Sequence, residues 1–497
     1  MQKGLSCVDG SWLTDSSPGK EALKMRDCNQ GRFQQQIRFL RHQFLQDEGL
    51  PFSNVLSEEV VEQALTAIDV IWNDRIYTPL VTLWVFLSQV LSADHSCRAA
   101  VARLIAHRVS HGQCPCSSET GAYCQARKRL PEKFFSAVTC LVGRTLDSKV
   151  DPKWLWKGRR VYMFDGTTVT MPDTPENQKA YPQNVAQEPG LGFPIARIGV
   201  ITSLSCGAIL NLGFCRYAGK GQGEVSLLRR IWSVLSPGDI LLADSLLSNW
   251  TGIVMLRQRG IELVSRLNKA HRKADFRKGT RLGKEDHLVR WRKPTSIRSV
   301  DRKMYNALPE YLTIRETRIR VEQPGFRSKS IVVVTTLLDP AQTTKEDLAF
   351  LYRTRWNNEL DLRSIKSTMQ MDVLRCKTPE LVHKEVWTHI LAYNLIRTIM
   401  AQAATKHTVA PRSISFKGAM QTVEAFQPVI AIQGYHDSAF RMSLYQQLLD
   451  AIAIHRVGDR PDRFEPRLKK QRPKPYDRLM KPRHVAKREM LKRLSKI

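Results

Sequence analysis

Tyr352, Arg355, Glu359 and Lys366, in the stretch YRTRWNNELDLRSIK, form a Y-x2-R-x3-E-x6-K array. At about 100° per residue these positions fall within roughly 60° of one another on a helix, so one face carries an acid and two cations. Two aspartates upstream, Asp165 in VYMFDGTTVTMPDT and Asp244 in DILLADSLLSNW, each end an apolar run. Both runs read as buried parallel strands delivering a carboxylate at the C-terminal edge, where open α/β sheets collect ligands and metals. The trio Asp165, Asp244 and Glu359 would suit a hard divalent cation such as Mg²⁺, which takes a few carboxylates plus waters and phosphate oxygens. Two such ions can activate an attacking oxygen and stabilise a leaving one in phosphoryl transfer. Each acid alone has a plainer reading. An aspartate after an apolar strand often caps the next helix, and a glutamate among arginines is usually part of a solvated face.

The elements that must hold these residues can be placed from the pattern. Thr343 stands three residues before Glu346 as a capping box would, and Leu348 and Leu351 open an apolar stripe, so one helix of about six turns is expected through Lys366. Strands are expected at Arg160 to Thr168, Ile195 to Ser205, Ala208 to Tyr217, Asp239 to Ala243 and Ile261 to Leu267, with a helix from Glu224 to Leu235. Between the last strand and the Glu359 helix, YLTIRETRIRVEQ and SIVVVTTLL alternate as β-structure does, which predicts an inserted sheet.

These motifs resemble a known family. DGTTVTMPDTPENQKAYPQ, then LLADS, then the Y-R-E-K helix look like the DDE transposases of bacterial insertion sequences, in insertion-sequence family four. The resemblance runs from about Phe86 to the C-terminus and takes in FLSQVLSADHSCRAAVARL, TGAYCQARKRLP, SFKGAMQT and RPKPYDRLMKPR. It implies a ribonuclease H-like α/β core with Asp165, Asp244 and Glu359 as the catalytic and metal-binding triad. It also implies that Tyr352, Arg355 and Lys366 hold the backbone of the transposon-end DNA. Two Mg²⁺ per site are implied, with Mn²⁺ as a substitute: Asp165 and Asp244 would hold one ion, Asp165 and Glu359 the other. Water would first attack the phosphodiester at the transposon end, and the freed 3′-OH would then attack target DNA. The partners implied are double-stranded DNA, as terminal inverted repeats and as target, and a second copy of the chain. Relatives use a tryptophan in the insertion to receive a flipped base. This chain has Ile331 near that place, and Trp291 could either stack on a base or cover a sheet face.

Composition agrees with a polyanionic partner. Lys and Arg number 77 against 47 Asp and Glu, a net charge of +30, and phosphate backbones are the commonest target of such a surface. No run approaches the length of a membrane span and no signal segment opens the chain, so a cytoplasmic protein without a membrane partner, nucleoid-associated when on DNA, is expected. The ten cysteines read as reduced thiols. His111, Cys114, Cys116 and Cys124 could suggest zinc, but Cys-x-Cys is not the usual spacing. The run AGKGQGE at Ala218 to Glu224 lacks the ending of a phosphate loop and reads as a turn before a helix. Asp173 and Asn177 could assist at the site but more naturally form a turn, and Glu224 could be a fourth acid or a first-turn residue.

The organisation expected is an irregular segment at 1–31, a helical DNA-binding domain at 32–150, and a core at 157–268 and 340–402. A β-rich insertion at 269–339, a helical region at 403–454 and a basic arm at 455–497 complete it. The arm holds 16 Lys and Arg against 5 Asp and Glu, and its proline content argues for an extended chain. In the N-terminal domain Arg98, Arg103, Arg127 and Arg129 could line a DNA groove or simply be solvated. Two other functions fit the same residues: an inactive repressor that binds inverted repeats, and a ribonuclease H-like nuclease that cuts without joining.

Overall fold

The computed structural model describes residues 33–66, 75–270, 272–297, 302–320, 330–433, 437–458 and 477–495. The segment 1–31 and the middle of the basic arm lie outside them.

The N-terminal part is helical, with α1 (33–43), α2 (Glu58–Thr66), α3 (Pro79–Leu91), α4 (Cys97–Ser110), α5 (Gly121–Arg129) and α6 (Glu132–Ser148). Local chemistry sets several starts: Ser57, Thr78 and Ser96 each accept a backbone N–H of the first turn, and Pro79 occupies the first position of α3. Of the four arginines placed in this domain from sequence, Arg98, Arg103 and Arg129 are exposed, whereas Arg127 is buried.

A nine-stranded mixed sheet follows, in the order β3-β2-β1-β4-β5-β9-β8-β7-β6. Its first half is β1 (Val161–Thr170), β2 (Ile195–Ser203), β3 (Ile209–Arg216), β4 (Ile240–Ala243) and β5 (Glu262–Arg266). Strands β1, β2 and β3 pair antiparallel, and β1, β4 and β5 pair parallel. Helix α7 (Pro175–Ala180) lies between β1 and β2, α8 (Glu224–Ile231) precedes β4, and α9 (Trp250–Gln258) precedes β5. The turn before α8 passes through Gly219 and Gly221 in the left-handed region, as the glycine run suggested.

The segment expected from sequence as an inserted sheet does not form a sheet of its own. Its strands β6 (Thr280–Gly283), β7 (Asp286–Arg292), β8 (Tyr311–Arg320) and β9 (Ser330–Thr335), with the short α10 (Arg302–Ala307), extend the core sheet, because β9 pairs with β5 from Val264↔Thr335 onward. A buried Arg315 on β8 forms an ion pair with Asp286 at 2.6 Å and donates to the carbonyl of Thr343 at 2.6 Å. This ties the insertion to the start of α11 (Lys345–Thr354).

Beyond it come α12 (Trp356–Arg363), a π-turn at Ser364–Thr368, α13 (Pro379–Lys406), α14 (Phe416–Gln433), α15 (Ser438–Ile454) and α16 (Arg483–Leu494). Helix α13 is buried along nearly its whole length, between the sheet and the N-terminal helices. Its Asn394 accepts the N–H of Ile209 at 2.8 Å and donates to the carbonyl of Ile209 at 2.9 Å, which closes off the edge strand β3. Helix α16 replaces part of the extended arm: HVAKREMLKRL is rich in good helix formers, and Pro482 stands at its N-cap. Among the described residues no helix is long and apolar enough to cross a membrane.

Candidate active site

Strand β1 alternates in the way a strand buried on both faces must. Val161 and Met163 join the apolar cluster under α11, while Tyr162 and Phe164 join the one under α8 and α9. Asp165 continues the first series, toward the Y-R-E-K helices. Its parallel pairing with β4 stops at Met163↔Leu242, so the carboxylate stands where a partner strand ends, although β1 itself runs on to Thr170. Asp244 directly follows β4 and accepts the N–H of Leu246 at 2.9 Å, capping a 3-10 turn at Ser245–Leu247. The capping role and the edge position therefore coexist in one residue.

Gly166, Gly199 and Gly213 stand in register across β1, β2 and β3. A Cβ on Gly199 or Gly213 would come within 2.8 Å of Leu227, and one on Gly166 within 2.9 Å of the Glu224 carboxyl. The bare backbone lets α8 lie close and brings its first residue, Glu224, against the strand that carries Asp165. The sequence leaves Glu224 open between a fourth acid and a first-turn residue; the signal that brings it beside Asp165 is the register of the three glycines, visible only once the strands are paired.

Burial, together with Glu224 and Asp244, pushes the Asp165 carboxyl up to about 6, against the opposing pull of the Gly166 N–H and Arg355. Burial and Asp244 also raise Glu224. A crowded set of oxygen donors of one sign is what a hard divalent cation would relieve. Glu359 is engaged elsewhere: it accepts from Arg355 Nη2 at 2.7 Å. Among the described residues no three His, Cys, Asp or Glu side chains stand close enough to share one ion.

The motif helix differs from the single rod expected. The capping box is one residue later, formed by Thr344 and Asp347, because Thr343 is buried beneath Arg315. The rod breaks at Arg355 between α11 and α12 and widens into the π-turn that carries Lys366. Tyr352 and Arg355 lie near enough to Asp244 and Asp165 to feel their charge, Lys366 reaches β1, and Glu359 is tied to Arg355. Arg355 keeps its charge well despite burial, through Tyr352, Glu359 and Asp165. Burial holds Tyr352 protonated above its usual range. Lys366 donates to Thr167 Oγ1 on β1 at 3.1 Å, and burial lowers its ammonium below the usual value.

The family model described as "Transposase DDE domain" matches residues 156–395, a span that contains both aspartates and the whole Y-R-E-K array. Transposase InsG for insertion sequence element IS4, from Escherichia coli strain K12, is 28% identical over 366 residues, covering 71% of this chain and 77% of the relative. The chain carries a transposase DDE domain and is similar to the IS4 transposase over most of its length. It is a DNA transposase, an enzyme acting on DNA. The transposase for insertion sequence element IS421, from Escherichia coli, matches a shorter stretch at 31% identity over 101 residues, 18% of this chain and 27% of that one. Among solved structures, the cryo-EM piggyBac transposase synaptic complex with hairpin DNA aligns over 82% of this chain and 85% of that one, at 9% identity and a TM-score of 0.42.

Trp291, expected from sequence to contact DNA or to cover the sheet, takes the second role in the transposase, and the other candidates can be placed as well. Trp291 is 3% exposed. Its Nε1 donates to Glu316 at 2.8 Å, and Arg272 lies 4.5 Å over its ring. The indole thus covers the sheet and presents no face for a flipped base, because the alternation of β7 turns it into the core. His111 and Cys124 are held apart by the length of α4. His111 stacks on His107 at the C-terminal end of α4, whereas Cys124 meets Cys97 at that helix's first residue. Asn177 is buried and donates to the carbonyl of Pro172 at 3.0 Å, and Asp173 accepts from Gln178 at 2.8 Å. Both serve the turn into α7.

Proposed function

We propose that this transposase cleaves the ends of its own insertion sequence and joins them to target DNA, with Asp165, Asp244 and Glu359 as the acids of the reaction. The observation that carries this reading is the supply of acids and cations to one sheet edge from three separate elements, β1, β4 and the α11–α12 helices. In this reading β1 to β5, in the order 3-2-1-4-5, form a ribonuclease H-like core at 157–268 and 340–402. The strands at 269–339 are its insertion, 32–150 is a DNA-binding domain and 403–454 a supporting helical region. Carboxylates suit Mg²⁺, or Mn²⁺ in substitution; two such ions would activate the attacking oxygen and stabilise the leaving one once Glu359, held by Arg355 here, is freed to join the two aspartates.

The protein's own residues prepare the site. Tyr352 keeps its proton at neutral pH and donates a hydrogen bond to a backbone phosphate. Lys366 and Arg355 clamp flanking phosphates through charge-assisted contacts. Arg355 cannot serve DNA and Glu359 equally, so an arriving phosphate that competes for the guanidinium releases Glu359 toward the aspartates. Joining two ends needs two sites, which calls for a dimer on DNA.

The test is an assay on DNA carrying the element's terminal repeats, with Mg²⁺, following cleavage and joining. Glu359→Ala should retain DNA affinity and lose both products, since the phosphate contacts lie on other residues. Retained cleavage in that variant, or in Asp165→Ala, would remove the triad assignment. Cleavage without joined product would indicate a simple nuclease, and binding without metal-dependent chemistry a repressor.

A further inference from the structure

Arg127 on α5 is 4% exposed, and among the described residues none of its side-chain hydrogen-bond partners is a carboxylate. Its guanidinium is surrounded by sulfur. Nη2 donates to Cys97 Sγ at 3.3 Å and to Cys124 Sγ at 3.4 Å, while Nη1 reaches Gln89 Oε1 at 3.2 Å and Cys376 Sγ at 3.9 Å. The rings of Tyr123 and Phe86 cover it at 4.5 and 4.8 Å. The buried acid nearby, Glu385, is already taken up by the backbone N–H groups of Arg375 and Cys376 at 2.8 to 3.0 Å.

A guanidinium does not shed its proton in a protein, and a buried charge without an opposite charge is costly. Of the side chains that accept a hydrogen bond from Arg127, only the thiols can supply an anion. Cys376 is buried, whereas Cys97 and Cys124 are partly exposed. Cys97 opens α4, with its sulfur beside the positive end of that helix. The hydrogen bond from Cys97, together with Arg127, draws the Cys124 thiol below its usual range. These are the surroundings that make a cysteine reactive: a partly exposed sulfur, a fixed cation and a second thiol in reach.

We propose that Cys124 and Cys97 form a peroxide-reactive dithiol site, with Cys124 the thiolate that is oxidised and Cys97 the thiol that resolves it. The Cys124 sulfur attacks one oxygen of hydrogen peroxide, forming an S–O bond and breaking the O–O bond. Hydroxide leaves and takes up a proton as water, and Cys124 becomes a sulfenic acid. Cys97 then attacks that sulfur, the S–S bond forms, and the hydroxyl leaves with the Cys97 proton as a second water. Two thiols are oxidised and one peroxide is reduced. The site requires neither DNA nor metal, so it stands or falls separately from the transposition reading.

The exposed Cys114 of the same chain is the internal control. Iodoacetamide labelling of the intact protein at pH 6.5, quantified by peptide mass spectrometry, should modify Cys124 at least about tenfold faster than Cys114. Hydrogen peroxide should then give a Cys97–Cys124 linked peptide that dithiothreitol reverses. In Cys97→Ala, Cys124 should be trapped by dimedone as its sulfenic acid, and Cys124→Ser should abolish both products. Cys114 reacting as fast as Cys124, a link from Cys124 to Cys116 or Cys376, or no oxidation at Cys124 would each overturn the assignment.

Discussion

Burial and the neighbouring charges of Glu224 and Asp244 press on Asp165. Its folded carboxyl holds a proton that the unfolded chain would release, since folding raises it from 3.8 to about 6. The stability from that proton is fully present below 3.8 and is lost as pH rises through about 6. Asp165→Asn never ionises and avoids the loss. In the metal-free transposase it should melt about 2–4 °C higher than the parent at pH 8, with the gap closing by pH 4. An equal gain at both pH values would mean that charge is not what the substitution relieves. Glu224 faces the same crowding and, in the proposed reading, adds its charge to the attraction for the cation. Glu224→Gln should weaken Mn²⁺ binding about tenfold, measured without DNA by the resonance of bound and free ion. Unchanged affinity would leave Glu224 as a first-turn residue of α8 only.

At the scale of elements, the helix bearing Glu359 is fixed by a neighbour two residues on. Asp361 is 1% exposed and accepts from Arg412 Nη1 at 2.7 and 2.8 Å and from Arg397 of α13. Arg412 in turn donates to the carbonyls of Ser203 and Leu204 at 2.7 and 2.8 Å, so α12 is pinned at once to α13 and to the end of β2. Removing the one carboxylate would leave two guanidinium groups facing each other in the interior. Asp361→Asn should cost about 3–5 kcal/mol by chemical denaturation, and a loss below about 1 kcal/mol would show that the pair is already solvated. None of this was legible in the sequence, where Asp361 is one more acid among arginines. What could be read was whatever period and apolar content carry: five core strands and α8 fall within a few residues of their expected places, because each is an apolar run between turns. The break at Arg355, the π-turn and the continuity of the insertion with the core sheet depend on pairing and packing between distant segments. So do the burial of Trp291 and of Arg127, which local pattern cannot separate from exposure.

Over the whole molecule, charge and packing are divided unevenly. The aliphatic side chains cluster around α13 and the sheet, while α16 buries none of its residues. Its approach to the rest of the fold is slight: a Cβ on Gly190 would meet Pro482 at 3.3 Å. Residues 477–497 nevertheless carry eight Lys and Arg against two acids. Such a segment adds little to stability and much to attraction for phosphate, and the two contributions can be measured apart. Deleting 477–497 should shift the melting temperature by less than about 1 °C, since it removes no apolar burial. It should also weaken DNA binding at low salt and make the plot of log affinity against log salt shallower, by up to about 7 if every cation meets a phosphate. A changed melting temperature with an unchanged slope would reverse the assignment and make α16 a packing element. The DNA contacts would then fall to cations elsewhere in the chain, exposed arginines such as Arg98, Arg103 and Arg129 among them.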